Sequence, residues 1–137
     1  MNTTIARIHC DGGSRGNPGP AAGGAVLLDK DGVVLDSASE YLGIATNNLA
    51  EYHAVTLGIG LMRKHGFKEA DFYLDSQLVV RQLMGQYKVK HPDMLKQFTA
   101  VQAAMVGLTI RFHHVLREFN KDADAVVNVC LDENSTK

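Results

Sequence analysis

Apolar positions in the first third of the chain fall in short strand-like runs, and after that stretches of helical spacing alternate with further short runs. Thr4–Asp11 carries Ile5, Ile8 and Cys10 and reads as a strand, which the glycine-rich stretch GGSRGNPGP stops. Ala22–Asp29 reads as a second strand, Asp31-Gly32 as a hairpin turn and Val33–Tyr41 as a third strand. The spacing predicts a helix from Thr46 to His65, with Thr46 as N-cap and Gly66 as its stop. A short strand over Ala70–Asp75 follows, then a helix capped by Ser76 and reaching Met84. Gly85 and QYKVKHPD form a loop, Pro92 starts a helix to Val106, and Leu108–Val115 is another strand. A last helix begins near Asp122, which fits as its N-cap.

Short turns make the first three strands an antiparallel meander, and helical crossovers make the later ones parallel. The expected architecture is α/β: a mixed five-stranded sheet, three antiparallel strands then two parallel, flanked by helices. At 137 residues it is expected to form a single domain, with a loose tail at the end.

Composition narrows the class without naming a function. Apolar content of 45% and charged content of 21% describe a folded globule rather than a disordered chain. No run approaches a membrane span, and MNTTIARIHCD lacks the apolar core of a signal peptide, so a cytoplasmic protein without a membrane partner is expected. Cys10 and Cys130 have no CxxC spacing and read as buried thiols, although a bridge between them stays open. The six histidines show no zinc-ligand spacing. Net charge is only −1, yet bases outnumber acids between Arg81 and Lys121, which is either a flank for a polyanion or a scatter of solvated charges.

Four carboxylates carry the chemistry. Asp11 and Asp75 each end a predicted strand, and on neighbouring parallel strands those ends lie together. Glu51 shares a helix face with Val55, Gly58 and Met62, so it points toward the sheet, unless it serves the helix dipole instead. Asp124 lies in the first turn of the last helix. Clustered carboxylates repel one another and take up protons, a cost that divalent cations remove. Two such ions, about 4 Å apart, suit in-line displacement at a phosphodiester: they activate a water and stabilise the leaving 3′ oxygen.

With these residues in place the chain resembles the ribonuclease H type 1 family in a short form. The resemblance runs from Ile8 to Asn128 and rests on DGGSRGNPGPAAGG, TNNLAEYHAV, LDSQLVV, GQYKVK and REFNKDADAVVN, in that order. It implies an endonuclease that hydrolyses the RNA strand of RNA–DNA hybrids, leaving 5′-phosphate and 3′-hydroxyl ends. Asp11, Glu51, Asp75 and Asp124 match the family's catalytic acids, which hold two Mg2+ or Mn2+ ions. Asn17, Asn48 and Gln77 match positions that contact the hybrid's minor groove, where amides can read 2′-hydroxyls. Gly12 and Asn47 belong with them as substrate-binding candidates. Asn17 before Pro18 also suits a plain turn, and Asn47 and Asn48 could simply cap the helix.

Two departures from the pattern matter. There is no tryptophan and Gln86–Asp93 is short, so the basic protrusion of some relatives is missing and Lys88 and Lys90 are the candidates to grip the DNA strand. The loop LREFN holds no histidine, leaving His114, Arg117 and Glu118 as possible accessory residues. No obligatory protein partner is expected. Rival readings are the same acids acting on double-stranded RNA or structured DNA, a silent hybrid-binding module, and a phosphate-binding protein. The glycine run disfavours the last, since it leads into a strand rather than a helix.

Overall fold

Residue-by-residue alternation builds the centre of the sheet. In β1 (Ala6–Ser14), Ala6, Ile8 and Cys10 face one side, while Arg7, His9 and Asp11 face the other. The computed structural model describes residues 5–135; Thr4, where the first strand was expected to begin, and the end of the expected tail lie outside them. β2 (Gly19–Leu28) and β3 (Val34–Ala45) complete the antiparallel meander, and β4 (Glu69–Leu74) and β5 (Thr109–His114) add in parallel. The strand order is β3-β2-β1-β4-β5, the mixed sheet read from the sequence.

Helix α1 (Asn47–Lys64) lies on the Ile8–Cys10 face. Thr46 is its N-cap, its hydroxyl accepting from the Leu49 N–H, and Gly66 follows its end with φ of +77°. Glycines let the helix approach the strands closely. A Cβ on Gly12 would come within 2.2 Å of the Ala50 and Glu51 backbone, and one on Gly58 would strike Phe72 and Ile8. Phe72, Ile8, Leu27 and Leu74 are fully buried beneath it, each contributing about 1.5–3 kcal/mol by leaving water. Helices α2 (Gln77–Leu83), capped by Ser76, and α3 (Pro92–Ala104) supply Val79, Val80 and Val101 to the same core. The Tyr52 hydroxyl donates to Gln82 and so ties α1 to α2.

On the opposite face, α4 (Lys121–Glu133) packs Ala123, Val127, Cys130 and Leu131 over Ala22, Val26 and Leu28. A 3-10 turn at Arg117–Phe119, absent from the sequence reading, precedes it. Asp122 is not the N-cap: Asn120 holds that position, and Asp122 lies inside the first turn with its carboxylate turned to His9. Cys10 and Cys130 are both free and buried, on opposite faces of the sheet. Among the described residues no helix is long and apolar enough to cross a membrane.

Candidate active site

Parallel pairing of β1 with β4 ends with Cys10 beside Leu74, so the next residues, Asp11 and Asp75, emerge side by side. Glu51 reaches the same point from α1 because Gly12 admits the helix so closely. Carboxylate oxygens of Asp11, Glu51 and Asp75 lie within 4.8 Å of one another. Asp124 lines the same cavity, about 430 Å³ in volume, from the first turn of α4, but stands outside that mutual group of three.

Each acid is held differently. The Gly12 N–H donates to one oxygen of Glu51, while the other oxygen is buried and has no hydrogen-bond partner. Burial, and then the charges of Asp11 and Asp75, hold the Glu51 carboxyl well above the ordinary carboxylate range. Asp11 is pushed up to about 8 by burial first and then by the facing Asp75. Asp75 and Asp124 are half-buried, and the Asn128 amide donates to Asp124 Oδ2 at 3.2 Å. The sequence reading missed Asn128, although its position one helical turn after Asp124 was the available signal.

Around the acids, a clasp joins the β1–β2 hairpin to the start of α1. The Ser14 N–H donates to Asn47 Oδ1 at 2.8 Å, and the Asn47 N–H donates to Asn17 Oδ1 at 3.2 Å. Both asparagine carbonyls are thereby used within the protein, and neither residue is the helix cap. Asn48 lines the cavity, as does Gly12. Arg117, on the 3-10 turn, is the one lysine or arginine lining it among the described residues.

Other sequence candidates lie further out. Gln77 begins α2 and shares a neighbouring groove with Arg81 and His114, the last residue of β5. Glu118 is exposed on the 3-10 turn and does not line the acidic cavity. Lys88 and Lys90 are exposed in the loop between α2 and α3, where no additional helix intervenes. The histidines show no zinc-like cluster among the described residues.

Residues 9–130 match the family described as reverse transcriptase-like. The chain is 45% identical over 127 residues to the bifunctional protein Rv2228c of Mycobacterium tuberculosis, an alignment covering 91% of this chain and 35% of that protein. It is 38% identical over 130 residues to ribonuclease HI of Halobacterium salinarum, covering 93% and 65% respectively. The chain thus spans about a third of the length of the mycobacterial relative. The solved N-terminal RNase H domain of Rv2228c, a fusion with maltose binding protein, superposes with a TM-score of 0.91 at 42% identity, covering 96% of both chains. LC11-RNase H1, solved in complex with an RNA/DNA hybrid, gives 0.89 at 37% identity, covering 94% of this chain and 98% of that one. From the profile match, these identities and the shared fold, the chain belongs to the ribonuclease H type 1 family.

Proposed function

We propose that this chain is a divalent-metal-dependent endonuclease that hydrolyses the RNA strand of RNA–DNA hybrids, leaving 5′-phosphate and 3′-hydroxyl ends. One observation carries the proposal: three carboxylates from three separate elements converge within 4.8 Å, and one buried oxygen of Glu51 has no partner. An unpaired buried carboxylate oxygen is costly, and a cation removes the cost. The donor set is all oxygen, which suits hard ions such as Mg2+ or Mn2+ rather than zinc. Asp11, Glu51, Asp75 and Asp124 would hold two such ions. Cations bound there supply Lewis-acid polarisation of the scissile phosphate and lower the pKa of water.

The chain's own residues orient the acids and the substrate. The Gly12 N–H fixes Glu51, and Asn128 steadies Asp124. Asn17 and Asn47 have spent their carbonyls on the clasp, which leaves their NH2 groups to donate. Donors at that rim suit the lone pairs of a 2′-hydroxyl and the acceptors of base edges in a wide, shallow groove. Asn48 and Gln77 extend that reading surface, and Arg117 stands where it can meet a phosphate. Lys88 and Lys90 would take the DNA backbone, a contact that weakens as salt rises. LC11-RNase H1, a relative of 37% identity captured with an RNA/DNA hybrid, supports the choice of substrate.

The test compares the parent with Asp75→Asn on end-labelled RNA–DNA, RNA–RNA and DNA–DNA duplexes, in magnesium and in manganese. The expected outcome is cleavage of the hybrid's RNA strand by the parent alone, with hybrid binding retained in the variant. Robust cleavage by Asp75→Asn, or equal cleavage of all three duplexes by the parent, would overturn the reading.

A further inference from the structure

Asp124 depends on the placement of α4 more than the other acids depend on their elements. Asp11 and Asp75 continue paired strands, and Glu51 sits on a helix locked against Gly12. Helix α4 has no side-chain cap at Asn120. Its apolar stripe, which includes the fully buried Ala123 of the first turn, holds it on the sheet. Two polar contacts also fasten that turn to β1. Asn120 Nδ2 donates to the Cys10 carbonyl at 2.8 Å, and His9 Nδ1 meets Asp122 Oδ1 at 2.8 Å.

His9 is built for that contact. Its side chain is 7% exposed, and it shares a strand face with Asp11 two residues on. The Arg7 Nε–H donates to His9 Nε2 at 3.2 Å, so the ring's proton sits on Nδ1 and is donated to Asp122. Both ring nitrogens thus have a polar partner. Tyr73 packs edge-on at 5.5 Å between ring centroids and fixes the ring plane. One face of β1 therefore carries a candidate catalytic acid and, one step earlier, a clamp on the helix that carries another.

We infer that His9 and Asp122 form an anchor that sets the reach of Asp124 into the acidic cavity, which makes both positioning residues for cation binding there. The inference rests on the metal-site reading above. It is tested on the whole chain with Asp122→Ala, Asp122→Asn, His9→Phe and the Asp122→Ala/His9→Phe pair. Mn2+ affinity without substrate is measured from the free-ion electron paramagnetic resonance signal, beside thermal melts and the metal and hybrid dependence of cleavage.

Asp122→Ala and His9→Phe are expected to weaken Mn2+ binding about tenfold, as losses of orienting partners around metal ligands do. Hybrid KM should not change. Asp122→Asn removes the charge but keeps Oδ1 as an acceptor, and should stay within about threefold of the parent. The double variant should bind Mn2+ no more weakly than the weaker single variant, because both changes remove one interaction. Parental Mn2+ affinity in Asp122→Ala overturns the anchor, whether or not its melting temperature falls. Equal weakening by Asn and Ala also overturns it, since charge rather than position would then be the cause. A parent that neither binds Mn2+ nor cleaves hybrid defeats the metal-site reading itself, a result distinct from either of those.

Discussion

Glu51 and Asp124 reach one cavity from helices fastened in opposite ways. Helix α1 begins with its own cap, Thr46, and is pressed against β1 and β2 where glycines leave no room between backbones. Helix α4 begins without a side-chain cap and is held to β1 by the Asn120 amide and the His9–Asp122 pair. The buried acid thus comes from the rigid contact, and the half-buried acid from the polar one. Shape fixes one side of the site, and hydrogen-bond geometry fixes the other.

Exchanging the two acids for their amides gives the sharpest contrast. Glu51→Gln should lower hybrid cleavage at least about a thousandfold while leaving the metal-free protein as stable as the parent or more so, because a buried carboxylate has gone. Asp124→Asn should impair cleavage less, by roughly a hundredfold, since Asp124 stands outside the group of three. Single-turnover cleavage and urea denaturation measure both. Equal losses from the two variants would erase the distinction between the helices.

The pH dependence of the metal-free protein follows from the buried side. The Asp11 carboxyl sits at about 8 when folded, against an ordinary value of 3.8, and Glu51 is raised as well. Between those limits the folded chain holds protons that the unfolded chain has lost. Stability from these groups is therefore present below about pH 4 and is lost as pH rises toward 8. Urea midpoints should fall across that window, and millimolar Mg2+ should restore more at pH 8 than at pH 5. A flat profile without metal would mean that neither burial nor the neighbouring acids raise these carboxyls.

Backbone contact and capping can be compared on the scale of stability. Gly12→Ala drives a Cβ to within 2.2 Å of the α1 backbone and should cost about 3 kcal/mol or more. Asn120→Ala removes the amide donor to Cys10 and should cost about 2 kcal/mol. Thr46→Ala removes only a cap and should cost about 1 kcal/mol. Urea denaturation ranks the three; a Gly12→Ala protein as stable as the parent would show that α1 is not locked there.

The same contrast explains what could be read from the chain. Thr46, Gly66 and Ser76 are local signals that act within a few residues, and each fell where the sequence placed it. Alternation along Ala6–Cys10 and the crossover order gave the sheet, and the inward face of α1 gave Glu51. Asp122 was misread as a cap because its partner is not local: His9 lies 113 residues away in sequence. The contact of Asn47 is equally non-local: its carbonyl serves Ser14 across 33 residues, so the alternative of a plain helix cap does not describe it. The 3-10 turn at Arg117–Phe119 is too short for any periodicity to reveal.

Diffraction from crystals soaked in Mn2+, recorded at the manganese absorption edge, tests most directly whether these side chains gather around cations. Anomalous peaks are expected in the cavity between Asp11, Glu51, Asp75 and Asp124, with the free oxygen of Glu51 turned to one of them. No peak there at millimolar Mn2+, with the four carboxylates pointing apart, would contradict the account.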